Sequence, residues 1–236
     1  MGCEARRMSE RVSMVELSAA TFATNDAAMT FVTLVLRDAT SAHPYAGSLL
    51  VLDSAEATRN ASDAVHHLSM LHGRHPGVID HASARTASDA ARLSLFRIAD
   101  AFALEREFLA RLVVAAGPIP STPGQAETEA SVIAQRHAIE MLAQSDRQGC
   151  AIGAALAMAY DWYAIRPVLN VAATRFGVEP PRMALPDEAE YVDIARRACP
   201  TPATERAMLF GVQQIATQHR GLWDLLEVRA KARLHY

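Results

Sequence analysis

The chain has 236 residues, half of them hydrophobic and 21% charged, with a formal net charge of −3. That composition excludes an intrinsically disordered chain, and a chain of this length buries enough surface to be stable without disulfides or metals. It offers no basic field to hold a phosphate backbone or an anionic bilayer, so neither nucleic acid nor membrane is expected as a partner.

Cys3, Cys150 and Cys199 form no CxxC pair and are odd in number. They read as neither a disulfide framework nor a zinc knuckle, and the expected compartment is a reducing cytoplasm. Aromatics are sparse and alanine dominates the apolar set. Alanine favours helix and fills sheet surfaces poorly. The Ala- and Arg-rich usage has a GC-rich bacterial cast.

In chain order, residues 1–24 show no clear period and are expected to be poorly ordered, apart from a short turn of helix near Val12–Leu17. Met1-Gly2-Cys3 opens like an acylation signal, but Arg6 stands where the myristoylation pattern has Ser or Thr. No apolar h-region follows, and no apolar run approaches the ~18 residues of a membrane span. Thr24 and Asn25 are N-cap residues for a helix from about Asp26 to Asp38. The stretch Met29–Leu36 is apolar nearly all round, which predicts a central position.

His43-Pro44-Tyr45-Ala46-Gly47 reads as a turn, followed by helix from Ser48 to Arg59. Ser62 is expected to cap a helix that ends at Gly73 in a left-handed C′ position. Arg74-His75-Pro76-Gly77 is a second turn. From Ser88 to Ala116 the residues Ala91, Leu95, Ile98, Phe102, Glu105, Leu109, Leu112 and Ala116 recur at spacings of three and four, a bundle-core seam with one carboxylate in it.

Gly117 to Gly124 holds three prolines and reads as a crossover loop. Helices are expected at 125–145 and at 147–176, the latter stopped by Gly177 and kinked or broken near Ile165 by Pro167. Pro186-Asp187 opens a short helix to Cys199. Thr201 caps the last helix, with Pro202 at its first position. Its seam reads Met208, Val212, Ile215, His219, Leu222, Leu226 and Ala230, with one histidine in it. The expected fold is all-α, a single bundle of about seven helices over residues 25–236.

Glu105 and His219 stand out because an unpaired ionised group in an apolar seam is costly. Either they share an interior polar site, or the seams are one residue out of phase and both lie at an edge. Tyr160-Asp161-Trp162-Tyr163-Ala164-Ile165-Arg166-Pro167 is the aromatic cluster of an aromatic-poor chain. Aromatics with arginine form ligand pockets and interface hot spots, so Asp161, Trp162, Tyr163 and Arg166 join Glu105 and His219 as ligand-binding candidates. The same residues serve equally as a helix-packing plug. This region is the first place to look for a pocket.

His66, His67, His72, His75 and His81 form a histidine-rich stretch, with Asp63 three and four residues before the first two. Carboxylate and imidazole at that spacing can hold a transition metal, and Asp63, His67, Glu105, His137 and His219 are the candidate ligands. The plainer reading makes the histidines of the stretch surface and loop residues. Glu129, Arg136, His137 and Glu140 on one helix read as a solvated charged face.

The general plan from about Ser88 onward, long seam helices with an interior carboxylate and histidine, resembles the ferritin-like and haem-oxygenase-like helical bundles. That resemblance implies a metal or small-ligand site with oxidase-type chemistry. The paired Glu-x-x-His motifs of di-metal bundles are absent here. Asp63-Ala64-Val65-His66 approximates one, and His137-Ala138-Ile139-Glu140 has the order reversed. The competing expectation is a non-enzymatic interaction or regulatory protein, a homodimer joined through Trp162 and Tyr163.

Overall fold

The computed structural model describes residues 27–50 and 55–234, and among the described residues it contains helices and no strands. Helix α1 spans residues 27–38. A 3-10 turn at Thr40–Ala42 leads to the short α2, Pro44–Ser48. Then follow α3 (Ala55–His72), α4 (Val78–Arg85), α5 (Asp89–Ala116), α6 (Gln125–Ala143), α7 (Cys150–Phe176), α8 (Glu188–Ala198) and α9 (Pro202–Arg233). Among the described residues no helix is long and apolar enough to cross a membrane. The expectations for residues 1–24, Gly2 and Cys3 included, lie outside the described residues.

The centre of the bundle is α7, which contacts α3, α4, α5, α6, α8 and α9. Every residue from Cys150 to Trp162 is buried, and nearly half of them are Ala or Gly. Small side chains let neighbouring helices approach on all sides. The closest approach is to α9: a Cβ on Gly153 would fall 2.0 Å from the Met208 carbonyl oxygen, and one on Gly211 would fall 2.2 Å from that of Cys150. Gly211 is therefore a packing contact, and α9 runs through it and Gly221 without a break. Pro167 also lies within an unbroken helix. It sits on the exposed side, where water substitutes for the backbone hydrogen bond it removes.

The two seams fall in the predicted phase. Ala91, Leu95, Ile98, Phe102, Glu105, Leu109 and Leu112 are fully buried on α5. On α9, Met208, Val212, Ile215, His219, Leu222 and Leu226 are buried as well. Helix ends follow local chemistry. The Ser88 side chain accepts from Ala91 N, Asp187 from Glu190 N and Thr201 from Thr204 N. Gly177 closes α7 with φ 67°, in the left-handed region.

Five local expectations are corrected. Helix α1 is one-sided: Phe31 and Val35 are buried, whereas Met29 and Leu36 are about half exposed. The His43–Gly47 turn is the start of α2, with His43 Nδ1 accepting from Tyr45 N and Pro44 at the first position. Ser62 is a buried interior residue of α3, which starts at Ala55. Gly73 follows α3 without a positive φ, so the stop there is not a left-handed cap. Helix α4 follows the second turn, where none was expected.

Candidate functional site

A chain of buried polar groups crosses the bundle from the 3-10 turn at Thr40 to α3. The Asp161 carboxylate, on α7, accepts from Thr40 N at 3.2 Å, Thr40 Oγ1 at 2.5 Å and His219 Nδ1 at 2.6 Å. Thr40 Oγ1 in turn accepts from Trp223 Nε1 at 2.8 Å. His219 Nε2 lies 3.0 Å from His72 Nε2, at the C-terminal end of α3. Asp161, His219 and His72 are all at least 95% buried.

The proton positions follow from the partners. Because His219 Nδ1–H donates to the carboxylate, a neutral His219 presents a bare Nε2, and His72 donates its own Nε2–H to it. His72 Nδ1 then carries the lone pair and receives no hydrogen bond from the described residues. Burial holds the His72 pKa well below its ordinary value of 6.5, and the neighbouring His219 pushes the same way, so His72 is neutral near pH 7.

Each end of this chain reaches a cavity. Asp161 lines a cleft of about 370 Å³ whose walls include Val35, Leu36, Tyr160, Tyr163, Asp187 and Glu188. This is the low end of the range for small-molecule sites. His72 lines a cavity of about 30 Å³ under the α3–α4 turn, together with Arg74, His81, Arg136 and Glu140.

The cleft walls are fixed by their own bonds. Tyr160 OH donates to Glu188 Oε2 at 2.5 Å, and burial together with that carboxylate raises its pKa. Tyr163 OH lies 2.9 Å from Leu185 O and 2.5 Å from Pro186 O, and burial and then Asp187 raise its pKa.

Glu105 forms a second interior network beside the first. Its carboxylate accepts from Arg166 Nη1 at 2.5 Å and Trp162 Nε1 at 2.9 Å. Arg166 also donates to Asn170 Oδ1 and Pro181 O and stacks over Phe108 at 4.7 Å. The Trp162 ring meets His72 edge-on at 5.9 Å, which places the two networks side by side. Arg166 thus ties α5, α7 and the loop before α8 together, and that loop carries the carbonyls held by Tyr163.

A model of a family of unknown function, DUF6975, matches residues 35–234. The chain belongs to that family. No curated protein and no solved structure matches it. The DUF6975 span contains every residue of both networks and of the cleft. The match is thus to this family, and the likeness to ferritin-like and haem-oxygenase-like bundles goes no further than a helical fold.

The ligand-binding candidates read from the sequence lie close together: Asp161 and His219 in one network, Glu105, Trp162 and Arg166 in the other, and Tyr163 in the cleft wall. The candidate metal ligands do not gather as a set, although His67 Nδ1 lies 3.4 Å from Asp63 Oδ1. Asp63 is taken by two guanidinium groups, from Arg229 Nε and Nη2 and from Arg233 Nη1, each at 2.8–3.0 Å. His67 Nδ1 donates to the Asp63 carbonyl at 2.7 Å. His137 is 72% exposed. Glu105 and His219 belong to different networks. Among the described residues no three His, Cys, Asp or Glu side chains are grouped so as to hold a metal.

Two further readings change. His67 and His72 are buried, so the histidine stretch is not wholly surface. Trp162 is fully buried within the chain, so it is not available as a homodimer contact. Sequence reasoning missed Thr40, Trp223 and Glu188 as members of the site. It placed His72 only within the histidine stretch, where its position on the last turn of α3 gave no sign of inward packing.

Proposed function

We propose that this DUF6975 protein binds a small organic cation in the cleft beside α7 and uses Asp161 as the acid–base group toward it. The observation that carries the reading is the buried Asp161 carboxylate at the cleft wall, backed by His219 and His72. Aspartate held by a histidine and a threonine is oriented before any ligand arrives, which is what acid–base work requires.

The cation follows from the lining. Asp161, Asp187 and Glu188 are carboxylates, Tyr160 and Tyr163 present aromatic rings, and among the described residues no Lys, Arg or His lines the cleft. Carboxylates attract an ammonium group, and aromatic faces add to that attraction. Val35, Leu36 and Ala164 suit a short apolar body.

A titration of the wild-type protein with butylammonium and with butyrate, followed by the ring signals of Tyr160 and Tyr163 in NMR, tests this. The cation is expected to saturate those shifts at millimolar concentration and the anion to leave them unchanged. Equal response to both, or to neither, would remove the assignment.

A further inference from the structure

The cleft reading leaves open how Asp161, 2% exposed and already holding three donors, exchanges protons with water. On the other side of the same carboxylate stands the histidine pair, and its far end reaches a separate cavity. That cavity has room for about two water molecules. Its polar lining is drawn from every element around it: Arg74 in the α3–α4 turn, His81 on α4, and Arg136 and Glu140 on α6. His219 faces His72 from α9, and the Trp162 ring edge faces it from α7.

We infer that Asp161 exchanges its proton through His219 and His72, with His72 Nδ1 as the port to the α3–α4 cavity, and not through the mouth of the cleft. The inference rests on the reading of Asp161 as the acid–base group. The transfer balances one proton in against one proton stored. A solvent proton, carried in as hydronium and leaving a neutral water in the cavity, goes to the bare Nδ1 of His72. His72 passes its Nε2 proton to Nε2 of His219. His219 passes its Nδ1 proton to Oδ2 of Asp161. The result is a carboxylic acid at the cleft, a His219 protonated at Nε2 and a His72 protonated at Nδ1. Loss of the proton back along the path restores the carboxylate and both tautomers; protonation of a ligand group by Asp161 restores the carboxylate and leaves the two rings in the shifted tautomers until a proton returns from the ligand. The two hops between side chains span contacts of 3.0 and 2.6 Å, so neither ring has to travel to pass the proton from His72 to Asp161. Burial disfavours an imidazolium at His72, which makes it a carrier that does not retain the proton.

The exchange rate of the His219 Nδ1–H proton with water, measured by NMR saturation transfer, tests the path. In His72→Phe that exchange should slow about a hundredfold, the order of a lost acid–base partner, while butylammonium still binds. An unchanged rate overturns the inference whether or not butylammonium binds. If His72→Phe fails to fold, the wild-type protein decides. Nitrogen-15 shifts should show His72 protonated at Nε2 and bare at Nδ1. A resting proton on Nδ1 would overturn the path, because the ring would then offer the cavity no acceptor. Loss of butylammonium binding in the wild-type protein would sink the cleft reading alone and leave the exchange result to stand by itself.

Discussion

Replacing Glu105 with leucine tests whether the interior carboxylate is held by its partners or merely tolerated. Glu105 is fully buried and, among the described residues, is the one carboxylate bonded to Arg166, itself 5% exposed. Leucine has nearly the right volume, so the change leaves no large cavity. It removes both acceptors. Among the described residues Arg166 would keep only neutral partners, Asn170 Oδ1 and Pro181 O, and the Trp162 N–H would lose its bond. Stranding one member of a buried ion pair costs about 3–5 kcal/mol, and the orphaned indole N–H falls within or slightly adds to that figure. Set against a total stability of about 5–15 kcal/mol, Glu105→Leu should lower the urea midpoint by a large fraction. Adding Arg166→Met removes the stranded charge, so the double variant should be more stable than Glu105→Leu alone. A single-variant loss below about 1 kcal/mol, or strictly additive losses in the double variant, would refute the reasoning.

Three further outcomes follow from other contacts. Gly211→Ala should destabilise by about 1–3 kcal/mol or more in urea denaturation, because backbone on α7 cannot yield to the new Cβ. Gly47→Ala, with open space around it, should be neutral or gain up to about 1 kcal/mol, and equal effects at the two sites would contradict the α7–α9 contact. His67 and His72 have folded pKa values below 6.5 because burial disfavours their charged forms. The unfolded chain therefore binds more protons below about pH 6.5. Stability from this source is complete above that pH and is lost as pH falls, by at most about 1.4 kcal/mol per unit per histidine. Urea midpoints between about pH 7 and 5.5 should decline, and His72→Phe should flatten part of the slope; a flat wild-type profile contradicts it.

The helical fold was legible because its signals are local. Seam spacing put Glu105 and His219 in the core, and caps such as Thr201-Pro202 and stops such as Gly177 marked the ends. The tertiary set was less legible. Asp161 and Trp162 are adjacent in sequence yet serve different networks, since successive residues on a helix point about 100° apart. Thr40 and Trp223 join Asp161 from elements 121 and 62 residues away, and no period in the chain connects them. Asp63 resembled a metal ligand because nothing in its own helix reveals that Arg229 and Arg233, at the far end of the chain, occupy it. The Tyr160–Arg166 cluster did mark the cleft region, because aromatics are scarce elsewhere.

The most direct measurement is the affinity of butylammonium for the wild-type protein and for the double variant Asp161→Asn, Glu188→Gln, taken by NMR titration at one ionic strength. Both substitutions keep side-chain size and remove charge from the cleft. The account predicts binding at least about tenfold weaker in the variant, with its helical signal preserved. Equal affinity in a folded variant would show that the cleft carboxylates do not recognise a cation, and would contradict the proposed function at its base.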